Sequence, residues 1–217
     1  MIKRFQRIEG RSIQEIEGQS RLGFSKSDMT DFYDLIEWAE RGGYSGSVLL
    51  FYDFSTGRVH VPFAQKKNVV YSDPRYVDGS YYFLRGDYDE QTVTLYRWAP
   101  DQEPETVIEL GMEETDLYNL SLARKGLHII SQDNSFRCYY PEQISFPLGE
   151  HETVIFLEDG KVYCESWVEE GWDDEKNCAT ERYQYYDKVI IRDYEGNILS
   201  EEVGSLCQAP DGSWWIA

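Results

Sequence analysis

Between residues 167 and 187 the chain gathers side chains suited to gripping a cation. Glu169, Glu170, Asp173, Asp174 and Glu175 are interleaved there with Trp167, Trp172, Tyr183, Tyr185 and Tyr186. An aromatic face attracts a Lys or Arg head group through its quadrupole, and neighbouring carboxylates steer and hold the same charge. The mixture also suits a sugar, whose ring stacks on an indole while carboxylates take its hydroxyls. The residues assigned to partner contact are Trp167, Trp172, Asp173, Asp174, Glu175 and Tyr183. The bland alternative is that Trp167 and Tyr185-Tyr186 extend flanking strands around a solvated, charged middle.

Other chemistry does not assemble. Glycoside cleavage needs two carboxylates held about 5–10 Å apart, and the candidates Asp73 and Asp116 have no spacing that separates them from turn-forming Asp. Cys138, Cys164, Cys178 and Cys207 are dispersed without a C-x-x-C pair. They therefore form neither a zinc signature nor a disulfide framework, and reduced thiols are expected. His60 and His128 fall at strand positions and His151 in a loop, which leaves a Cys-His dyad unsupported. Asp87-Tyr88-Asp89-Glu90 and Asp173-Asp174-Glu175 do not follow the twelve-residue calcium loop. Gly42-Gly43 follows a helix, where a phosphate loop would precede one. No catalytic residue, metal ligand or cofactor is assigned, and the reading favours a non-catalytic role.

Charge narrows the partner. Forty Asp and Glu against 21 Lys and Arg leave a net −19 over 217 residues. Residues 1–26 carry six basic and three acidic side chains, so this arm is +3 and the remainder −22. Such a body repels nucleic-acid backbones and anionic membranes, which leaves a basic protein as the favoured partner, although the same charge serves solubility. No stretch approaches the roughly 20 apolar residues of a membrane span. The basic start Lys3-Arg4-Phe5-Gln6-Arg7 runs into polar residues where a leader needs an apolar core, so the expected location is cytoplasmic.

The elements that must position these residues are marked by glycine. Asp78-Gly79, Lys125-Gly126, Asp159-Gly160 and Asp211-Gly212 each precede a run of apolar or aromatic residues, at intervals of 47, 34 and 52. Glycine reaches positive φ without steric cost, so each reads as a hairpin turn feeding a strand. A second set of hairpins alternates with them: 47–52 with 58–63, 92–98 with 105–110, 136–140 with 144–148, and 188–193 with 198–203. The D-G-x-aromatic-aromatic turn resembles stretches of several bacterial β-propeller repeats, over about residues 44–217. The G-H and W-D dipeptides of WD40 repeats are missing.

That resemblance implies an all-β chain folded as a small four-bladed propeller, closed two strands plus two by pairing 213–217 with 47–52. A five-bladed ring using part of residues 1–26, or a β-sandwich, are the alternatives. The expected division is an N-terminal arm and helix over 1–43 and a propeller over 44–217. Met29, Phe32, Tyr33, Ile36 and Ala39 recur at helical spacing over about 28–41, with Ser27 or Asp28 as cap and Gly42-Gly43 as stop. The connections between each glycine-turn hairpin and the hairpins of the second set then share one acidic face that includes Asp87, Asp89, Glu150 and Glu152, with 167–187 as an aromatic flap. The expected function is a non-catalytic binding protein of inhibitor, immunity-like or adaptor type. A carbohydrate-binding or glycoside-active protein is the alternative.

Overall fold

The computed structural model describes residues 2–173, 175–209 and 212–217. The chain is all-β, built from antiparallel sheets with one α-helix, and it falls into two compact units, Met1–Leu122 and Ala123–Ala217. Among the described residues no helix is long and apolar enough to cross a membrane.

In the first unit, β1 (Gln14–Glu15), β2 (Leu22–Lys26), β3 (Leu49–Asp53) and β4 (Val59–His60) pair in that order. Helix α1 (Phe32–Glu40) interrupts them between β2 and β3. The second sheet comprises β5 (Val69–Tyr71), β6 (Arg75–Val77), β7 (Ser80–Asp87), β8 (Thr92–Trp98) and β9 (Glu105–Gly111), with both β5 and β6 on the same edge of β7. A 3₁₀ turn at Met112–Glu114 and a short β10 (Ser121–Leu122) follow. Strand β3, Leu-Leu-Phe-Tyr-Asp, is buried at every position, as a strand covered on both faces requires. Its Phe51 packs on Tyr81, Phe83 and Trp98 in an aromatic core.

Two expectations are corrected here. Strand 47–52 was to pair with 213–217, but a strand has only two edges and those of β3 are taken by β2 and β4. The hairpin that fills the place comes from the N-terminal segment itself, whose Ile16, Leu22 and Phe24 are buried in this core. The two-plus-two closure is thereby overturned, and 14–26 is part of a sheet. The helix is also shorter and turned: Asp31 is its N-cap, its carboxylate accepting the Asp34 N–H at 3.0 Å. Phe32 and Leu35 are buried, while Met29, Tyr33 and Ile36 are exposed. Its end lies where the double glycine puts it, with Gly43 N–H bonded to Trp38 C=O.

The second unit opens with β11 (Ile129–Gln132), β12 (Ser135–Tyr140) and β13 (Ile144–Pro147), paired in sequence. Next comes the meander β14 (Glu152–Glu158), β15 (Lys161–Asp173), β16 (Cys178–Asp193) and β17 (Ile198–Val203). The chain ends in the hairpin β18 (Leu206–Gln208) and β19 (Trp214–Ile216). Phe136, Phe146, Leu157, Val162 and Cys164 form the core. Asp159 and Gly160 take φ of 51° and 73°, the conformation a two-residue hairpin between twisted strands demands, and Asp78-Gly79 repeats it in the first unit. Gly126 closes a wider turn, with Ala123 N–H bonded to His128 C=O. Asp211, in the fourth glycine turn, lies outside the described residues. All four hairpins of the second set pair as expected.

Candidate functional site

Strands β15 and β16 outrun their neighbours. Pairing with β14 stops at Glu152–Ser166 and pairing with β17 at Lys188–Val203, yet β15 and β16 continue through Trp167–Asp187 to Asp173–Cys178. The segment expected as a flap loop is therefore a two-stranded arm, open to solvent on both faces. Between 167 and 187 it carries seven carboxylates against two cations, Lys176 and Arg182.

Side chains alternate between the two faces of a strand, so Trp167 and Trp172, an odd interval apart, belong on opposite faces of a regular one. The ladder shifts register between Glu170 and Trp172, at Gly171. Gly171 has φ +76°, and a Cβ there would lie 2.6 Å from the Arg182 carbonyl oxygen, so only glycine fits this bulge without moving backbone. Residues 180–183 of β16 bulge opposite Gly171, and this brings Tyr183 against both Glu169 and Trp172, so that Trp172 joins the face of Trp167. The result is a run of rings along one face: His151 stacks on Trp167 at 3.6 Å between centroids, Trp167 on Tyr185 at 6.1 Å, and Trp172 meets Tyr183 edge-on at 6.1 Å. Trp167 is 38 %, Trp172 40 % and Tyr185 58 % exposed. Glu169 sits among them and accepts the Tyr183 hydroxyl at 2.7 Å, an interaction that raises the tyrosine pKa. On the opposite face Tyr186 donates to Glu170 at 3.0 Å.

Alongside β15 runs a groove of about 430 Å³, lined by Glu150, His151, Ser166, Trp167, Val168, Glu169, Gly171 and Trp172. Its inner end is held by a buried ion pair. Glu152, with a side chain 1 % exposed, forks onto Arg192 through two bonds of 2.7 Å and accepts the Gly149 N–H at 2.7 Å. Burial pushes its carboxyl up, but the Arg192 guanidinium and the Gly149 N–H outweigh that and hold it below the usual carboxylate range. The turn so pinned sets His151 at φ 58° against Trp167, with its Nε2 3.5 Å from the Glu150 carboxylate.

The residues assigned from sequence separate accordingly. Trp167, Trp172 and Tyr183 share one face. Asp173 instead shapes the arm's tip, accepting Lys176 N–H at 3.0 Å and its ammonium at 3.1 Å. Glu175 is exposed at that tip, and Asp174 lies outside the described residues. Glu150 is expected on the acidic face and His151 in a loop, neither connected to the 167–187 stretch; both come from another turn, and no local spacing signals the contact.

The wider acidic face is smaller than the count of loop carboxylates suggested. Asp87 is fully buried between Lys66 and Arg85, both 2.7 Å from one carboxylate oxygen. Asp89 accepts the Asn68 amide, and Glu152 is consumed as described. Asp73 pairs with Lys26 at 2.8 Å and Asp116 accepts the Tyr118 N–H, so both glycosidase candidates have structural partners. Cys138 and Cys164 are buried, which raises both thiols, Cys138 to about 11; such thiols are poor nucleophiles. Burial lowers the pKa of His128. Comparison of the chain with protein-family models, with curated proteins and with solved structures finds no match in any of the three.

Proposed function

We propose that the chain is a non-catalytic binding protein whose β15–β16 arm receives a basic protein partner. The observation that carries this reading is the exposed run Trp167, Tyr185, Tyr183 and Trp172 on a projecting arm, with Glu169 among the rings and Glu150 at the groove's end. Rings of this kind attract ammonium and guanidinium groups, and carboxylates that are not already paired with cations add steering that weakens with salt. An inhibitor, immunity-like or adaptor role fits such a surface. The fold reading that accompanies it is a propeller-type repeat, supported by successive four-stranded meanders and by residues 14–60 completing one of them, as the five-bladed alternative requires.

A sugar-binding role is the second reading, favoured by two exposed indoles lining one groove with carboxylates at hand. The two separate in one titration, of a blocked octapeptide of alternating lysine and threonine against a neutral oligosaccharide. Peptide binding that weakens steeply between about 20 and 200 mM salt supports the first reading. Saccharide binding without peptide binding refutes it and supports the second. Deleting 169–180 leaves residues 181–185 to span the Val168–Tyr186 pair, so the fold should survive and binding should vanish. Undiminished binding by the deletion variant would move the site elsewhere.

A further inference from the structure

The backbone of the arm specifies how a basic segment would sit, beyond the fact that it binds. In an antiparallel ladder the N–H and C=O of one residue point to the same side, and successive residues point to opposite sides. The Asp187 carbonyl accepts the Gly204 N–H at 2.9 Å, so Asp187 directs its amide groups away from β15. Its cross-strand partner Trp167 therefore directs its own away from β16, toward the edge that β14 vacates after Ser166. Glu169, two residues on, does the same. Among the described residues no turn or loop backbone group is bonded to Glu169 on this edge, and the groove lies along it.

We infer that β15 accepts a Lys- or Arg-bearing extended segment as an added strand along Trp167–Glu169, a deepening that rests on the binding role proposed above. An unpaired edge is a template for another strand, and main-chain bonds then supply affinity while alternate side chains supply choice. Charge selects the occupant. A second copy of this chain would bring its own Glu169 and Glu170 toward the same pair, and like charges facing each other across strands are unfavourable. A cationic segment instead lays alternate side chains on the face that holds Trp167, Glu169 and Tyr185, within reach of Glu150. His151, fixed on Trp167 by the pinned turn, closes the inner end of the groove. The arm past Ser166 offers room for a strand of about five residues at roughly 3.4 Å each.

The test uses the full chain and three forms of the lysine–threonine octapeptide: unmodified, N-methylated on every lysine, and N-methylated on every threonine. In an added strand only one of these amide sets faces β15. The expected result is that one methylated isomer binds about tenfold or more weakly while the other binds like the parent. Equal behaviour of the two isomers overturns strand addition; if both match the parent, a side-chain-only binding role survives. Failure of the parent peptide to bind overturns the strand model and the basic-partner reading together.

Discussion

Replacing Glu152 by alanine tests the link between the buried ion pair and the candidate groove. The carboxylate is 1 % exposed and Arg192 12 %, so the variant strands a guanidinium that is almost cut off from water. Removing one partner of a buried pair costs about 3–5 kcal/mol. Arg192 keeps the Gly196 carbonyl at 2.7 Å and a little solvent, which places the cost near the lower end, about 3 kcal/mol. With an m-value of about 2 kcal/mol/M the urea midpoint should fall by about 1.5 M. Tryptophan emission follows it, since Trp167, Trp172, Trp214 and Trp215 all belong to the second unit. Replacing both partners, Glu152→Leu with Arg192→Met, removes the stranded charge and should lie within about 1 kcal/mol of the parent. The pH dependence has a definite sign. A carboxyl held below its ordinary value stabilises the fold above that value, 4.5 for glutamate, and loses the contribution as pH falls through the folded-state pKa. The parent's midpoint should therefore drop more steeply below about pH 4.5 than that of the double variant. A single variant within about 1 kcal/mol of the parent, or a double variant as unstable as the single, would refute the argument.

Charge reversal at the exposed Glu169→Lys should weaken binding of the lysine–threonine peptide at least about tenfold while stability changes by less than about 0.5 kcal/mol, measured by titration and thermal melting. Gly171→Ala places a Cβ against the Arg182 carbonyl and should disturb the Trp172–Tyr183 contact, read as a changed near-ultraviolet circular dichroism signal with the melting temperature nearly kept. A disulfide reagent should modify Cys178 and Cys207 rapidly in the folded chain and reach Cys138 and Cys164 only after denaturation; fast modification of all four thiols would contradict their burial.

Local signals carried a large part of the fold. Glycine turns and β-branched or aromatic runs are decided within a few residues, which is why the 47–63, 92–110, 136–148 and 188–203 hairpins are legible and pair as read. The helix stop at Gly42-Gly43 is equally local, whereas its buried face is not: Phe32 and Leu35 are inside because of what lies beneath them, and Met29 matches the period equally well yet is exposed. Segment 8–24 reads equally as a short hairpin or a flexible arm because its strand content is short; packing of Ile16, Leu22 and Phe24 into the core decides for the hairpin.

At the site the division follows the same line. Composition alone located the aromatic, acidic stretch 167–187 and named Trp167, Trp172 and Tyr183, since residue type decides which groups can hold a cation. Tertiary structure decided the rest. It turned the expected loop into paired strands, let the β16 bulge opposite Gly171 bring Tyr183 and Trp172 together on the face of Trp167, and seated His151 on that face through Glu152 and Arg192. It also withdrew Asp87 and Glu152 from the acidic surface, because a carboxylate's availability depends on burial and on the cations that long-range folding places beside it.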